Sequence, residues 1–510
     1  MTTVQSNGSA VRPTSIGRAV LWIAVALLAC LSVLMINGKP LFYFDTMGYV
    51  SQGHSALFHI GFPGKSPIHR EEVTEVATGK GPDITAEIEA DHTVDGSRST
   101  VYSLFAGTLA RLGALEGLIA LNVAAIFLAV WLPMRIAVRH WGLHIPLSQA
   151  VALPIIVASF GSLPFYAAYL MPDTFAPVLI LAVATLTVFA RVMLVWEILL
   201  VLALGSLATV SHLSHLGLAT LMAPAAVLVS LIMSRRQWWL PPALVLVIVG
   251  MGYAEQSVLR SAARSLSESE VVIKPYITAR IIQDGPGMRY LDANCPDEAI
   301  PTCVLHEALM HSDDPMRLTA SHIVFAQSEE LGSLRRLSPE DQALVSDDQI
   351  AFFFRVFRND PFGIIKALAH NVLAQTISVS VDMTLPTKSI VEVNAPVSGL
   401  LSGAFEHGRI TADPGWLRIV APLHAVFYAL SLAVILILMI VPRRVPGEVK
   451  ALTVMVLVGI LANAMVCGGI SQPATRYGAR VIWLLPLMAT VLMIFARRAR
   501  RFDPVGEGRL

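Results

Sequence analysis

Long apolar runs alternate with two extended polar stretches along this chain. The runs lie near 17–37, 116–138, 148–170, 174–190, 196–213, 216–233, 238–254, 417–441, 449–468 and 479–496. Each approaches the roughly 20 residues that a helix needs to cross a hydrocarbon core, so the pattern predicts about ten transmembrane helices, with a margin of about two. The polar stretches cover 38–100 and about 255–411. Within the second, 351–358 and 364–375 place apolar residues at helical spacing, whereas 335–348 reads as a charged, proline-containing surface segment. The expected organisation is an N-terminus at 1–16, a membrane module at 17–254 that includes the loop 38–100, a large loop at 255–411, C-terminal membrane helices at 412–496 and a tail at 497–510. No internal repeat or low-complexity run interrupts it.

Composition agrees with the pattern. Hydrophobic residues make up 55% of the 510 and charged residues 14%, against roughly 25% charged in soluble domains. The expected fold class is an all-α polytopic membrane protein. The net charge of +1 is uninformative about partners, and nothing points to nucleic acid. The placement of charge says more. Arg12, Arg18, Arg135, Arg139, Arg191, Arg235, Arg236, Arg443, Arg444, Lys450, Arg497, Arg498, Arg500 and Arg501 all fall on one side if ten spans are counted. The positive-inside tendency makes that side cytoplasmic, with both termini, and sends the two polar stretches outside together with short turns at 170–173, 212–216 and 469–478. The first apolar run is too long for a cleavable signal, and Asn37-Gly38-Lys39-Pro40 supplies no cleavage site.

The polar residues at the outer boundary carry the candidate chemistry. Asp45, in Phe44-Asp45-Thr46-Met47-Gly48-Tyr49, suits either the cap of an interfacial helix or a general base beside the membrane. Arg98 and Tyr102 begin a return to the membrane, where Arg98 can reach the headgroups and Tyr102 can sit in the aromatic belt. Asp173 follows Pro172 in the first turn of a predicted helix, as the macrodipole favours. His212 and His215 sit at an outer helix end, where a metal would want further ligands that the sequence does not supply, so a polar lining or a satisfied pair is expected there. Arg476 and Arg480, four apart and on the outer side, share a helix face suited either to lipid headgroups or to the phosphate of a substrate. Cys30 and Cys467 fall within apolar runs as ordinary core. Cys295 and Cys303 share the large loop, where an oxidising compartment makes a disulfide the expected state.

The order of these segments resembles the GT-C membrane glycosyltransferases, the superfamily of the protein O-mannosyltransferases and the lipid A aminoarabinose transferases. Asp45 to Tyr49 is similar to the family's Asp-Glu-x-x-Tyr element after the first span, with Thr46 where the second acid stands. Arg98-Ser99-Thr100-Val101-Tyr102 resembles its Lys-Pro-Pro-Leu-Tyr segment, and Pro172-Asp173-Thr174-Phe175-Ala176 its acid-led fourth span. The run from Ser211 to Pro224 resembles its Leu-Thr-Lys-Gly-Pro helix start, with His215 about where the Lys would fall, and Arg476-Tyr477 through Pro486 its Arg-Tyr-x-x-Pro last span.

The resemblance covers roughly the first half of the chain and the last span. It implies a bundle of about ten helices in a bacterial inner membrane, transferring a hexose or pentose from a polyprenyl-phosphate donor to a lipid, glycan or protein acceptor on the outer face. In that scheme Asp45 takes the acceptor proton and Arg476 with Arg480 holds the carrier phosphate. Arg98, Tyr102, Asp173 and His215 line the site or orient the sugar, and 255–411 covers it and contacts the acceptor. No cofactor is expected, and a divalent metal has no support from the residues. Two other readings fit the same outer basic patch: a transporter or flippase of a lipid-linked saccharide, and a noncatalytic subunit of an envelope polysaccharide assembly. Paired transporter halves would normally leave internal similarity, which is absent.

Overall fold

The computed structural model describes residues 16–69, 93–141, 145–234, 236–267, 270–297, 299–325, 332–441 and 445–499. Arg12, Arg235, Arg443, Arg444, Arg500 and Arg501, which share in the charge asymmetry, lie outside the described residues, as does most of the 497–510 tail.

The protein is an integral membrane protein built almost wholly of helices. Among the described residues, seven helical segments are long and apolar enough to cross a membrane: Gly117–Trp141, Pro172–Phe189, Leu213–Met233, Leu240–Ser265, Pro414–Ile440, Gly447–Ile470 and Thr475–Arg497. The pair Pro361–Ile377 and Asp382–Val397, bent by 76°, makes an eighth if counted as one span. Three further expected segments are shorter apolar helices, Ile16–Cys30, Leu147–Ala158 and Val195–Val210. The expected run 148–170 is broken after Ala158 and resumes only briefly as Leu163–Ala167, with Pro164 at its first turn. By contrast, Ile16–Cys30 continues into Ser32–Asn37, because Leu31 donates to Leu27 and Met35 donates to Leu31, carrying the ladder across the join.

In chain order we label these α1 (Ile16–Cys30) and α2 (Ser32–Asn37), then α3 (Phe44–His59), α4 (Thr100–Arg111), α5 (Gly117–Trp141), α6 (Leu147–Ala158) and α7 (Leu163–Ala167). Next come α8 (Phe175–Phe189), α9 (Val195–Val210), α10 (Leu213–Met233) and α11 (Leu240–Ser267). The last of these runs well past residue 254, where the outer loop was expected to begin. Every residue of α8 is buried, as befits a helix that is apolar all round. Its neighbours approach through glycines. A Cβ on Gly205 of α9 would lie 2.5 Å from Ile248 of α11 and 3.4 Å from Ala182 of α8. Small residues at such crossings permit the close packing that holds membrane helices together, where water-driven burial no longer distinguishes helix from lipid.

At the far end of this bundle, buried Glu197 accepts from Arg139 at 2.7 and 2.9 Å and from Leu194 N–H at 2.9 Å, with Arg135 Nε at 3.3 Å. Arg135 also lies over the rings of Trp131 and Trp196. The pairing of a buried carboxylate with two guanidinium groups joins α5 to α9 without leaving a bare charge.

Residues 276–364 form a second hydrophobic core of their own, around Leu291, Leu305, Ile323, Val345, Phe352 and Val356. It is built from α12 (Tyr276–Gln283), α13 (Pro286–Asn294), α14 (Cys303–Leu309), α15 (Ala320–Phe325) and α16 (Pro339–Asn359). The 335–348 surface segment thus begins as a short 3-10 turn and then becomes the first half of α16. A disulfide joins Cys295 to Cys303 across a Cα–Cα distance of 5.5 Å, closing the link between α13 and α14. The departure from an all-helical chain is a two-stranded parallel sheet, β1 (Thr93–Asp95) with β2 (Glu270–Val272), in which Thr93 pairs with Glu270. It fastens the end of the first polar stretch to the start of the second.

The remaining helices are α17 (Pro361–Ile377), α18 (Lys388–Val397), α19 (Leu417–Ile440), α20 (Gly447–Ala464), α21 (Thr475–Ile482) and α22 (Leu484–Ala499). A π-helical turn, Met465–Ile470, prolongs α20. A Cβ on Gly459 of α20 would come within 2.5 Å of Ile180, so this helix too meets α8 at a glycine. Gln375 of α17 clamps the following loop, donating to Ala474 O and accepting from Ala474 N, both at 2.9 Å.

Candidate functional site

Two extended segments set the position of the acids. Leu41 and Tyr169 form an isolated parallel bridge, with Leu41 N–H on Ala168 O at 2.9 Å and Leu170 N–H on Leu41 O at 2.8 Å. From this bridge the chain enters α3 on one side and the 3-10 turn Pro172–Thr174 on the other. Asn122 of α5 fixes the second segment by donating to Tyr169 O at 2.9 Å, and Thr174 donates to Tyr166 O at 2.7 Å. Asp45 and Asp173 therefore come from helix starts, where a negative charge is favoured. Thr46, in the place of a second acid, accepts from Tyr43 N–H at 3.0 Å and completes the start of α3.

The cations come from α21 and from the segment before α4. The backbone of α21 is held by three side-chain donors: Tyr166 OH on Arg476 O, Asn463 Nδ2 on Tyr477 O at 2.8 Å, and Ser162 Oγ on Ala479 O at 2.6 Å. Thus anchored, Arg476 reaches Asp45 Oδ2 with Nη1 at 3.3 Å and Asp173 Oδ1 with Nε at 3.4 Å. Its guanidinium lies 4.6 Å from the Tyr43 ring centroid and 5.1 Å from that of Tyr477. Arg98 Nη2 stands 3.6 Å from Asp45 Oδ1. Room for it is made by Gly48, one turn after Asp45, where a Cβ would lie 2.5 Å from Arg98 Cζ.

Arg480 is fully buried and fully engaged. Its Nη1 meets Asp173 Oδ1 at 3.2 Å, its Nη2 donates to Asn463 Oδ1 at 2.8 Å and to Ser214 Oγ at 3.2 Å, and Cys467 Sγ lies 3.0 Å from Nη2. The π turn brings Cys467 to this position, and such turns recur at functional sites.

A cavity of about 400 Å³ opens beside these groups. Its lining combines the polar groups of Asp45, Arg98, Lys274, Arg476, His212 and Ser214 with the apolar side chains of Leu213, Leu216, Val466 and Ile470 and the rings of Tyr49, Tyr253, Tyr276 and Tyr477. Of the residues expected in the site, Asp45, Arg98 and Arg476 line it. Asp173 and Arg480 lie behind Arg476, so Arg480 supports the wall rather than facing a phosphate from it. Tyr102 is buried, edge-on to Tyr49 at 5.1 Å, and His215 is buried with Nδ1 on Ala208 O at 2.8 Å. Neither lines the cavity, a departure from the sequence expectation that arises because both side chains turn into the helix packing.

Asp45 keeps 35% of its side-chain surface exposed. Burial raises its pKa, but Arg476 and then Arg98 outweigh that and hold it below the usual carboxylate range. It is an anion facing the cavity. His212, in the turn between α9 and α10, is pushed down to about 4, first by burial and then by Arg480, and is neutral.

Comparison with family models, curated proteins and solved structures finds no match to this chain.

The site groups beyond those expected from the sequence are Lys274, Gly48, Asn463 and Cys467, while His212 takes the lining place open to the His212 and His215 pair. Asn463 carried a readable signal, being the one amide in the apolar run 449–468. Lys274 carried none, since a single lysine in a polar stretch is unremarkable until the sheet β1–β2 and the Lys274 N–H bond to Ser97 Oγ at 3.2 Å bring it to the cavity. Among the described residues no group of three or more His, Cys, Asp or Glu is gathered in metal-binding geometry.

Proposed function

We propose that this protein is a glycosyltransferase of GT-C type, moving a sugar from a polyprenyl-phosphate donor to a lipid, glycan or protein acceptor, with Asp45 as general base. The observation that carries the reading is one ionised carboxylate among the described residues that line the cavity, Asp45, together with Arg98, Arg476, Lys274 and the apolar Leu213, Leu216, Val466 and Ile470. A lipid-linked phosphate sugar combines those requirements in one molecule.

The chemistry follows from the charges. The acceptor hydroxyl gives its proton to Asp45 as its oxygen attacks the anomeric carbon, and the bond to the donor phosphate oxygen breaks. The leaving group departs as a phosphate anion stabilised by Arg476, Arg98 and Lys274, so it needs no separate acid. Before donor binds, Arg476 and Arg98 make Asp45 a weak base. A phosphate that draws on the same guanidinium groups relieves their pull and raises Asp45 towards a useful basicity, so the base is armed when donor is present.

This reading takes α1 with α2, α6 and α9 as crossing segments beside the seven long helices, giving ten, with both termini cytoplasmic in a bacterial inner membrane. The Asp45 end then faces outward, and the 276–364 unit covers it. No cofactor enters the scheme. The test is purified protein in lipid nanodiscs supplied with polyprenyl-phosphate sugars and a membrane-lipid acceptor extract. The reading requires sugar transfer that Asp45→Asn lowers by roughly 10²–10⁴-fold; in sealed proteoliposomes, movement of donor across the bilayer without any product would point to a flippase instead.

A further inference from the structure

His212 is the cavity residue whose chemistry the scheme above leaves unused. Its Nδ1 accepts from Ser214 N–H at 3.0 Å, capping α10, and lies 2.8 Å from Ser214 Oγ. Ser214 Oγ in turn accepts from Arg480 Nη2 at 3.2 Å. A ring nitrogen that accepts from a backbone amide carries no proton, which fixes the tautomer: the hydrogen is on Nε2. That Nε2 has no protein partner among the described residues, and the ring lines the cavity together with Asp45 and Arg476. The charged groups acting on it are Arg480, Asp173, Arg476 and Asp45.

We propose that His212 is a ligand-binding residue, presenting a neutral Nε2–H donor to a phosphate oxygen held in the cavity. The inference rests on the phosphate-donor reading of this cavity and adds to it a residue from the start of α10. A neutral donor suits the place. A second positive charge so near Arg480 would be repelled, whereas a locked imidazole supplies a directed hydrogen bond without one. His215, three residues on, cannot share the role, because its Nδ1 is taken by Ala208 O and it does not line the cavity.

The test is binding of undecaprenyl monophosphate and of inorganic phosphate to the full-length protein, measured by native mass spectrometry for the wild type and for His212→Asn. The variant keeps an acceptor for the α10 cap and removes the distal donor, so it should weaken phosphate binding roughly tenfold with an unchanged melting midpoint. Weakening for the lipid phosphate alone assigns the donor's headgroup; weakening for both assigns the phosphate itself. In the wild type the imidazole N–H resonance of His212 should also shift when phosphate is added. Unchanged affinity in the variant, or a resonance that stays in place despite measured phosphate binding, overturns the role of His212 and leaves the transferase reading standing. Failure of any phosphate to bind overturns both.

Discussion

Leu41 and Tyr169 are paired as a parallel bridge, and each lies four residues ahead of an acid. The pairing starts two chain segments from one register, so Asp45 and Asp173 arrive side by side and Arg476 reaches both. The functional geometry is thereby set by backbone hydrogen bonds, ahead of any contact between the charges themselves.

Asp45→Asn should lower transfer by roughly 10²–10⁴-fold, the usual range for a positioned base. Because Asp45 is part-exposed and its loss leaves Arg98 and Arg476 with fewer acidic partners, donor binding should be unchanged or tighter. Steady-state kinetics would show kcat falling with KM for donor level or reduced. A KM that rises while kcat holds would remove Asp45 from the chemistry.

The pH profile follows from the depressed pKa. Asp45 works when ionised, and a folded-state pKa below the usual carboxylate range moves the acid limb of kcat/KM to lower pH, leaving activity flat through the region near pH 4–5 where an ordinary carboxylate begins to titrate. The accompanying stability has the same sign: it is present above the unfolded value and lost as pH falls through the folded one. In the donor complex Arg476 is shared, so the limb of kcat should lie above that of kcat/KM. Arg98→Gln removes one of the charges that pull the pKa down, and it should shift the kcat/KM limb upward.

Arg480→Ala should act on stability before activity. It strips a fully buried acid, Asp173, of one of its two guanidinium partners, and breaking a buried pair costs about 3–5 kcal/mol. Thermal unfolding in detergent should show a large drop for Arg480→Ala and little change for Asp45→Asn. Equal melting midpoints would contradict the supporting role given to Arg480.

Two glycines on one helix separate positioning from folding. Gly48→Ala places a Cβ against the Arg98 guanidinium, a mobile group that moves aside, so the protein should fold while transfer falls roughly ten- to hundredfold through displacement of Arg98 from Asp45. Gly53→Ala drives a Cβ into the Ser103 carbonyl of α4, where the backbones of α3 and α4 touch at Gly53 and Gly107, and it should reduce the yield of folded protein. Size-exclusion profiles and activity per folded molecule would distinguish them.

Intact mass of the native protein should increase on reduction and alkylation, from the Cys295–Cys303 disulfide, while Cys30 and Cys467 stay unlabelled until denaturation because both are buried. Two thiols that alkylate without reductant in the native state would argue against the bond.

Much of this was legible in the sequence, for particular physical reasons. Long apolar runs such as 117–141 and 417–440 announce membrane helices by length alone. The run 148–170 does too, yet α6 stops at Ala158 because the chain must turn to carry Ser162 and Tyr166 to the carbonyls of α21. Acids and arginines at the ends of apolar runs were visible as candidates. Their depth was not: Arg476 and Arg480 share one face of α21, and a separation of about 6 Å along the helix axis puts the first at the cavity and the second behind it. The Leu41–Tyr169 bridge leaves no pattern at all, since it joins two short extended segments distant in the chain.

The anchoring of α21 by Ser162, Tyr166 and Asn463 also sets an order of assembly. During synthesis the first acid and then the second are in place long before the helix that carries Arg476 and Arg480 leaves the ribosome. Among the described residues both guanidinium partners of Asp173 come from that helix, and so do the carbonyls that the three donors hold. The last hydrophobic segment is therefore the closing piece of the site, and a chain that ends before it inserts its earlier helices but cannot settle them.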